Sequence, residues 1–187
     1  MEAHHETDEQ LIQDIRAGDD AAFKVLVQRY ESRVAATVIG MLGRCPEAED
    51  VGQETFIRFY DAIDSFRGDS SVATYLTRIA MNLSLNELKR RKRRALFFRR
   101  TADTDLNIPD AHDASDHVDK KEFVQHALQR LEPKFKAVLV LRLIDGYSTT
   151  ETAHILKLPV GTVLSRLARG QQKLKEILTP IMEFNHG

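Results

Sequence analysis

Apolar residues recur every three or four positions along most of this chain, and this spacing limits what it can fold into more than any other feature. One stripe begins at Phe23 and ends at Met41, a second follows Pro46, and a third runs from Val72 to Leu83. Such spacing places apolar side chains on one face of a helix. Because no segment shows the alternation of a half-buried strand, the sequence predicts an all-α protein.

Charge divides these helices into two groups. Residues 101–117 contain five aspartates, one proline and no lysine or arginine. A segment of this kind, with few large apolar residues, is typical of a flexible linker. We therefore predict two small helical domains, at 8–100 and at 118–187, joined by a flexible acidic linker at 101–117.

A dense basic run occupies residues 89–100, where eight of the twelve side chains are cationic although the net charge of the 187-residue chain is only −1. The run directly continues the third apolar stripe. A solvated helix end or a basic targeting patch would have the same composition. The positive charge also suits the phosphates of a nucleic acid. Composition alone leaves these interpretations open.

The second predicted domain contains the elements of a helix-turn-helix. Ser148 and Glu151 have the spacing of a capping box, residues 157–159 interrupt the helix that follows, and residues 161–163 begin a longer one. In a helix-turn-helix the second helix enters the major groove of DNA. Five cations and no anion lie between positions 152 and 175, as a DNA backbone requires. A helical hairpin with a polar outer face would show the same periodicity.

Composition also excludes several classes of protein. No apolar run approaches the roughly 20 residues of a membrane span, so no membrane insertion is expected. The acidic N-terminus lacks the features of a secretory signal, and the single cysteine, Cys45, fits a reducing compartment, so we expect a cytoplasmic protein. The histidines lack partners at ligand spacing, so neither a metal nor a cofactor is predicted.

Three stretches, in order, carry a resemblance to a known family. They are GQETFIRFY at 52–60, FRGDSSVATYLTRIAMN at 66–82 and LPVGTVLSRLARGQQKL at 158–174. Together they strongly resemble a bacterial RNA polymerase sigma factor of the extracytoplasmic-function (ECF) class, over nearly the whole chain outside the N-terminal tail and the linker. The resemblance implies that the two domains are sigma regions 2 and 4. It also implies a non-enzymatic factor that binds core RNA polymerase and directs promoter-specific transcription initiation.

The resemblance implies two sets of functional residues in region 2. The polymerase-binding set, on the helix after Pro46, consists of Asp50, Gln53, Glu54 and Ile57. The residues implied to capture an unstacked base of the minus-ten element are Phe66, Arg67, Gly68, Asp69, Ser70, Ser71 and Asn82. The cations implied to neutralise nearby phosphates are Lys89, Arg90, Arg91, Arg93 and Arg94.

In region 4, the resemblance places the minus-thirty-five base contacts at Leu164, Ser165, Ala168 and Arg169. Phosphate contacts are expected from Arg166, Lys173 and the backbone near Thr162. The chain departs from the family pattern at Tyr75, where tryptophan is usual, and at Leu164, where a cation is common. We expect the first departure to soften packing beneath the base-capture loop and the second to alter promoter preference.

The implied partners are core RNA polymerase, promoter DNA in duplex and melted single-stranded form, and a cognate anti-sigma factor. Two other functions compete with this interpretation. A conventional helix-turn-helix repressor would explain residues 118–187 but not the motifs of the first domain. A nuclease using Glu47, Glu49, Asp50 and Glu54 would lack a nearby histidine, lysine or serine partner in the sequence.

Overall fold

The computed structural model describes residues 7–101, here called the first half, and residues 120–184, called the second half. The first half contains α1 (Asp8–Arg16), α2 (Asp20–Leu42), α3 (Pro46–Asp61), a 3-10 turn (Ile63–Ser65) and α4 (Val72–Thr101). The second half contains α5 (Lys120–Gln129), α6 (Pro133–Leu139), a π-helical turn (Val140–Ile144), α7 (Thr149–Leu156) and α8 (Val160–Phe184). No strand occurs in either half, so the predicted all-α class is confirmed. The predicted linker lies outside the described residues except for position 101.

Local sequence signals set the helix boundaries. The side chain of Asp19 accepts hydrogen bonds from the first backbone amides of α2, and Pro46 occupies the first turn of α3, where its missing N–H costs nothing. Gly43 ends α2 with a φ of 79°, a value that glycine tolerates and other residues rarely adopt. The sequence analysis did not identify α1, which buries Leu11 and Ile15 against α2.

The first half packs α1, α3 and α4 around α2. Leu26 and Met41 of α2, Phe59 of α3 and Leu76 of α4 are all fully buried in this core. Burying each of these side chains stabilises the fold by roughly 1.5–3 kcal/mol. The apolar stripes in the sequence therefore form the faces that meet in this core.

The same core continues into the second half. Val140, Leu141 and Tyr147 belong to one buried cluster with Met41 and Met81 of the first half. The separate apolar stripes of the sequence did not indicate this shared packing. The boundaries of the two predicted domains stay a prediction.

The second half also has a core of its own, which holds α8 in place. Val163 of α8 is fully buried with Val138 and Ala153, while Leu139 packs beside Leu167. The helix that follows the predicted turn is therefore fixed by neighbours within its own half. In the described segments, no helix combines the length and apolar character needed to cross a bilayer.

Candidate nucleic-acid interface

The outer face of α3 brings together the four residues of the predicted polymerase-binding set. Asp50, Gln53 and Ile57 are exposed, and Ile57 keeps 54% of its surface accessible. Glu54 is half-buried and pairs with Arg58 at 2.7 Å. The opposite face of α3 supplies the core, so these side chains can meet a partner without unfolding the helix.

The predicted base-capture loop borders a cavity of about 380 Å³, here called the loop cavity. The residues that line it are Ser65, Phe66, Arg67, Asp69, Ser70, Tyr75, Arg78 and His154. Of the predicted minus-ten residues around the loop, Gly68, Ser71 and Asn82 do not line it. Gly68 instead provides a positive φ of 77° for the turn, and the Ser71 hydroxyl accepts a hydrogen bond from the backbone amide of Thr74.

Aromatic rings form the wall of the loop cavity. The rings of Phe66 and Tyr75 meet edge to face with centroids 5.1 Å apart, and each lies within 6.0 Å of the buried Phe59 ring. Tyr75, at the position where tryptophan was noted as usual, is thus packed on two sides. Aromatic faces of this kind can stack on an unpaired base.

Two arginines that the sequence analysis missed belong to this site. The guanidinium of Arg78 lies 4.8 Å from the ring centroid of Tyr75, on the wall of the loop cavity. Arg16 of α1 donates to the carbonyls of Ile63 and Phe66, at 2.8 and 2.5 Å, and so fixes the start of the loop. The helical pattern could have placed Arg78 one turn after Tyr75. No sequence signal links Arg16 to carbonyls about fifty positions away.

The basic run has two kinds of cation. Arg90 and Arg94 lie at 2.6 and 3.6 Å from the carboxylate of Glu87, which is 7% exposed. Arg91 makes more contacts than Arg90 or Arg94. It pairs with Glu87 and donates to the Leu42 carbonyl at 3.3 Å and to the Cys45 sulfur at 3.0 Å. These contacts join α4 to the turn between α2 and α3. Arg91 is therefore less free to meet phosphate than the prediction assumed.

Two other cations of the predicted set remain available. Lys89 and Arg93 are exposed, and neither forms an ion pair within residues 7–101 and 120–184. Lys92, which the prediction did not include, is likewise exposed and forms no ion pair within the described residues. The side chains of Arg99 and Arg100 lie outside the described set. The exposed face of α4 thus displays positive charge that the fold itself does not use.

The second half contains the helix-turn-helix. The Ser148 hydroxyl accepts from the Glu151 amide at 3.2 Å, and the Glu151 carboxylate accepts from the Ser148 amide at 2.7 Å, which confirms the capping box. Hydrogen bonding of the Glu151 carboxylate to the Ser148 side chain, and then to the Ser148 backbone amide, lowers the pKa of this carboxyl. Lys157 ends α7 in the left-handed region, with a φ of 53°, and α8 then begins at Val160.

The residues of α8 predicted to contact bases share its outer face. Exposed side chains in this set are Leu164, Ser165, Ala168 and Arg169. Of the predicted phosphate contacts, Thr162 and Arg166 are half-buried. Lys173 is exposed but lies 3.7 Å from the Glu132 carboxylate. The outer face of α8 thus presents one arginine and three small or apolar side chains toward solvent.

Within the described halves, no group of three histidine, cysteine, aspartate or glutamate side chains could hold a metal ion. The described surfaces are thus the exposed outer face of α3, a loop cavity with aromatic and cationic walls, a basic surface on α4 and an exposed helix-turn-helix.

Comparisons with protein families, with curated proteins and with solved structures all indicate the same family. The family model described as Sigma-70 region 2 matches residues 26–94, and Sigma-70, region 4 matches residues 123–174. The RNA polymerase sigma-H factor of Pseudomonas aeruginosa is 34% identical over 95% of this chain and 96% of its own length. The ECF RNA polymerase sigma factor SigW of Bacillus subtilis is also 34% identical, over 89% and 94%. The sigma factor RpoE of Bartonella quintana, solved in complex with the anti-sigma factor NepR, shares 25% identity and a TM-score of 0.66, over 83% of this chain and 96% of that one.

Proposed function

The chain belongs to the ECF class of RNA polymerase sigma factors, and we propose how its described surfaces divide the work of promoter-specific initiation. As a sigma factor, it binds core RNA polymerase and promoter DNA and directs transcription from particular promoters. The assignment of these tasks to individual residues is the proposal.

The first task is polymerase binding by the outer face of α3. Asp50, Gln53 and Glu54 offer polar contacts, and Ile57 supplies an exposed apolar side chain at the end of the same stripe. Interfaces commonly combine a small apolar centre with a polar rim. We assign this face to the polymerase because it is separate from both proposed DNA surfaces.

The second task is capture of the melted minus-ten element. Removing a base from the duplex costs a few kcal/mol, because its stacking contacts are lost. New stacking on the ring of Phe66 or Tyr75 can offset this cost. Arg67 and Arg78 supply donors at the cavity wall. Further along α4, Lys89 and Arg93 neutralise phosphates without selecting sequence. The cavity for one base thus lies beside the start of α4, and the cationic surface for its backbone lies further along the same helix.

The third task is recognition of the minus-thirty-five element by α8. Arg169 can donate to a guanine edge, and Ser165 can pair with several bases. Leu164 or Ala168 can contact a thymine methyl group. Contacts to phosphates by Thr162, Arg166 and Lys173 set the register of α8 on the DNA. Lys173 must first break its ion pair with Glu132.

The observation that carries the proposal is the loop cavity, because a duplex-binding repressor has no use for a base-sized aromatic cavity in its other domain. Runoff transcription with core polymerase on a promoter library tests it. We expect transcripts that depend on this chain and share one pair of upstream elements. Absence of such transcripts would contradict the proposal, and tight, specific duplex binding without polymerase would favour the repressor.

The proposal includes three broader statements. The first is that the chain has no catalytic activity of its own. Backbone hydrogen bonding and the charge of Arg91 lower the pKa of Glu47. A carboxylate with a lowered pKa is a poor general base near neutral pH. Metal-dependent DNA cleavage by the purified chain would contradict this.

The second statement is that the chain works in the cytoplasm, where promoter DNA lies. It has a cognate anti-sigma factor, as the complex of Bartonella quintana RpoE with NepR suggests.

A further inference from the structure

Three large apolar side chains are exposed at the end of the basic run, and none of the contacts proposed above uses them. Leu96, Phe97 and Phe98 keep 50%, 65% and 63% of their surfaces accessible. We propose that Phe97 is a second stacking site for unpaired promoter DNA, on the same face of α4 as the loop cavity but near the other end of the helix. The inference rests on the proposed function, because it assumes that the loop cavity receives a base of the melted minus-ten element.

A single stripe along α4 joins the loop cavity to Phe97. It begins at the cavity wall and continues in steps of three or four residues, through Tyr75, Arg78, Asn82, Asn86, Lys89, Arg93 and Phe97. Such spacing keeps side chains on one face of a helix. From Asn82 onward every member of this stripe is exposed. A strand with one base in the cavity can therefore follow this face toward Phe97.

The charges of α4 are divided between the stripe and the opposite face. Glu87 is the one acidic residue of the helix and is 7% exposed, and Arg90 and Arg94 pair with it away from the stripe. Lys89 and Arg93 lie on the stripe, and neither forms an ion pair within the described residues. A polyanion that follows the stripe therefore meets two available cations and no carboxylate of α4.

The directions of the apolar side chains favour a nucleic acid over a lipid surface. Successive residues of a helix turn by about 100°, so Leu96, Phe97 and Phe98 point in directions spread over about 200°. A helix that binds a lipid surface instead collects its apolar residues on one face.

An aromatic ring one turn from a cation is the arrangement that binds an unpaired strand. The ring of Phe97 can stack on a base while Arg93, four residues earlier, contacts a phosphate. Within a duplex, neighbouring bases cover each base face, so the ring would find no face to stack on. The combination of Phe97 and Arg93 therefore suits melted DNA better than the flanking duplex.

The length of the stripe shows which nucleotides are involved. Roughly six helical turns, or about 33 Å at about 1.5 Å per residue, separate Tyr75 from Phe97. A stacked strand spans this distance with about ten nucleotides at about 3.4 Å each, and an extended strand needs fewer. Phe97 thus meets a base several positions from the captured one. Because a strand has a direction, only one flank of the captured base can reach it.

The experiment measures, by fluorescence anisotropy, how holoenzyme formed from core polymerase and the full-length chain binds single-stranded probes. Each probe carries the minus-ten sequence that runoff transcription selects, with a tail of about ten nucleotides on its 5′ or its 3′ side. The tail consists either of thymidines or of abasic sites, which keep the phosphates but offer no base to stack on. Core polymerase is common to all samples, so differences between variants report on the chain.

We expect Phe97→Ala to weaken binding of the thymidine-tailed probe roughly tenfold, for one of the two tail positions only, because stacking on the ring is lost. Its binding of abasic-tailed probes should equal that of wild type. Phe97→Trp should bind at least as tightly as wild type, since the larger ring still stacks. Arg93→Gln should weaken binding of both tail types, because both contain phosphates.

Phe98→Ala is the matched control. Phe98 is about as exposed as Phe97 and neighbours it in the helix, but it lies off the stripe. It should match wild type with every probe. Unchanged binding by Phe97→Ala, equal losses in the two alanine variants, or a Phe97→Ala loss that persists with abasic tails would each overturn the inference. So would weaker binding to core polymerase or to anionic lipid vesicles with unchanged probe binding, since Phe97 would then contact a protein or a membrane.

The two proposals fail in different ways. If wild-type holoenzyme yields no transcript from any library promoter, the proposed function is wrong. If it initiates and selects a minus-ten sequence, yet Phe97→Ala binds the thymidine-tailed probes as wild type does, only the second stacking site is wrong.

Discussion

The buried hydroxyl of Tyr147 donates a hydrogen bond to the Thr77 hydroxyl at 2.9 Å, and this bond joins the second half of the chain to α4 of the first. Tyr147 is 6% exposed and Thr77 is 1% exposed. Arg33 of α2 adds a longer contact to the same hydroxyl at 3.4 Å. One phenol thus connects the segment before the helix-turn-helix to two helices of region 2.

Tyr147→Phe should lower the free energy of unfolding by about 1–2 kcal/mol, because the Thr77 hydroxyl loses its buried partner while the ring still packs. Urea denaturation followed by circular dichroism measures the change. Tyr60→Phe is the matched control, since Tyr60 is 40% exposed and its ring contact with Phe23 survives loss of the hydroxyl. Equal midpoints for the two variants would show that the bond does not contribute to stability.

Arg91→Gln and Arg93→Gln should differ although the residues are two positions apart. Loss of Arg91 removes contacts to Leu42, Cys45 and Glu47 and should destabilise region 2 by roughly 1–3 kcal/mol. Loss of Arg93 should leave stability unchanged, weaken promoter opening on all sequences and reduce the salt dependence of DNA binding.

Thermal unfolding and open-complex formation at several salt concentrations separate these two roles. If Arg93→Gln leaves opening and its salt slope unchanged, the exposed part of the basic run is a solvated helix end. If both variants are equally stable, the contacts of Arg91 are not structural.

The Arg91 case shows how far the sequence could predict the site. Helix periodicity, the capping box and the interruption at residues 157–159 are local features, so the helix-turn-helix and most helices followed from them. The spacing of Glu87, Arg90, Arg91 and Arg94 places all four on one helix face, and this signal could have identified paired cations. Contacts such as Arg16 to Ile63 join distant segments and leave no periodic trace.

The shared core escaped prediction for a similar reason. A stripe on α2 or on the π-helical turn shows that a face is buried but not which helix covers it. Gly40 carries no turn signal within its helix, and its importance lies in the nearby methyl groups of Val140 and Ile144. Packing between the halves depends on such three-dimensional complementarity.

Asp145 predicts a pH dependence. Burial raises the pKa of its carboxyl to about 6, while the hydrogen bond from Thr37 and the charge of Arg33 act in the opposite direction. The pKa of an aspartate in the unfolded chain is about 4. Between about pH 4 and 6 the folded chain therefore binds the Asp145 proton more tightly than the unfolded chain does. The contribution of Asp145 to stability is complete below about pH 4 and is lost as the pH rises through 6.

Asp145→Asn should therefore be more stable than wild type at pH 7, by roughly 1–3 kcal/mol, because the amide has no charge to bury. The advantage should shrink as the pH falls from 6 to 4. The difference between the two proteins, measured by urea denaturation at each pH, removes the contributions of other carboxylates. A difference that stays constant across this range would contradict the raised pKa.

The proposed polymerase-docking face of α3 predicts that binding can be lost without loss of folding. Alanine at both Gln53 and Ile57 should weaken binding to core polymerase roughly tenfold, since exposed apolar anchors often carry much of an interface's energy. Helical content should be unchanged. The matched control is alanine at Val25 and Gln28 on α2, where Val25 is 39% exposed. Equal polymerase affinity for both double variants would place the docking face elsewhere.

Arg16 provides the last prediction, because it contacts the proposed base-capture loop without lining the cavity. Its guanidinium donates to Ile63 and Phe66 together, and removal should leave the loop less ordered. Arg16→Ala should reduce promoter melting roughly tenfold while polymerase affinity and duplex minus-thirty-five binding stay near wild type. Arg16→Lys should recover only part of the loss, since an ammonium group lacks the planar fork that reaches both carbonyls. Fluorescence of 2-aminopurine in the minus-ten element reports melting, and Arg44→Ala, an exposed arginine of the same half, is the control. A lysine variant as defective as alanine would show that the fork is required in full, whereas melting by Arg16→Ala at the rate of Arg44→Ala would exclude a positioning role for Arg16.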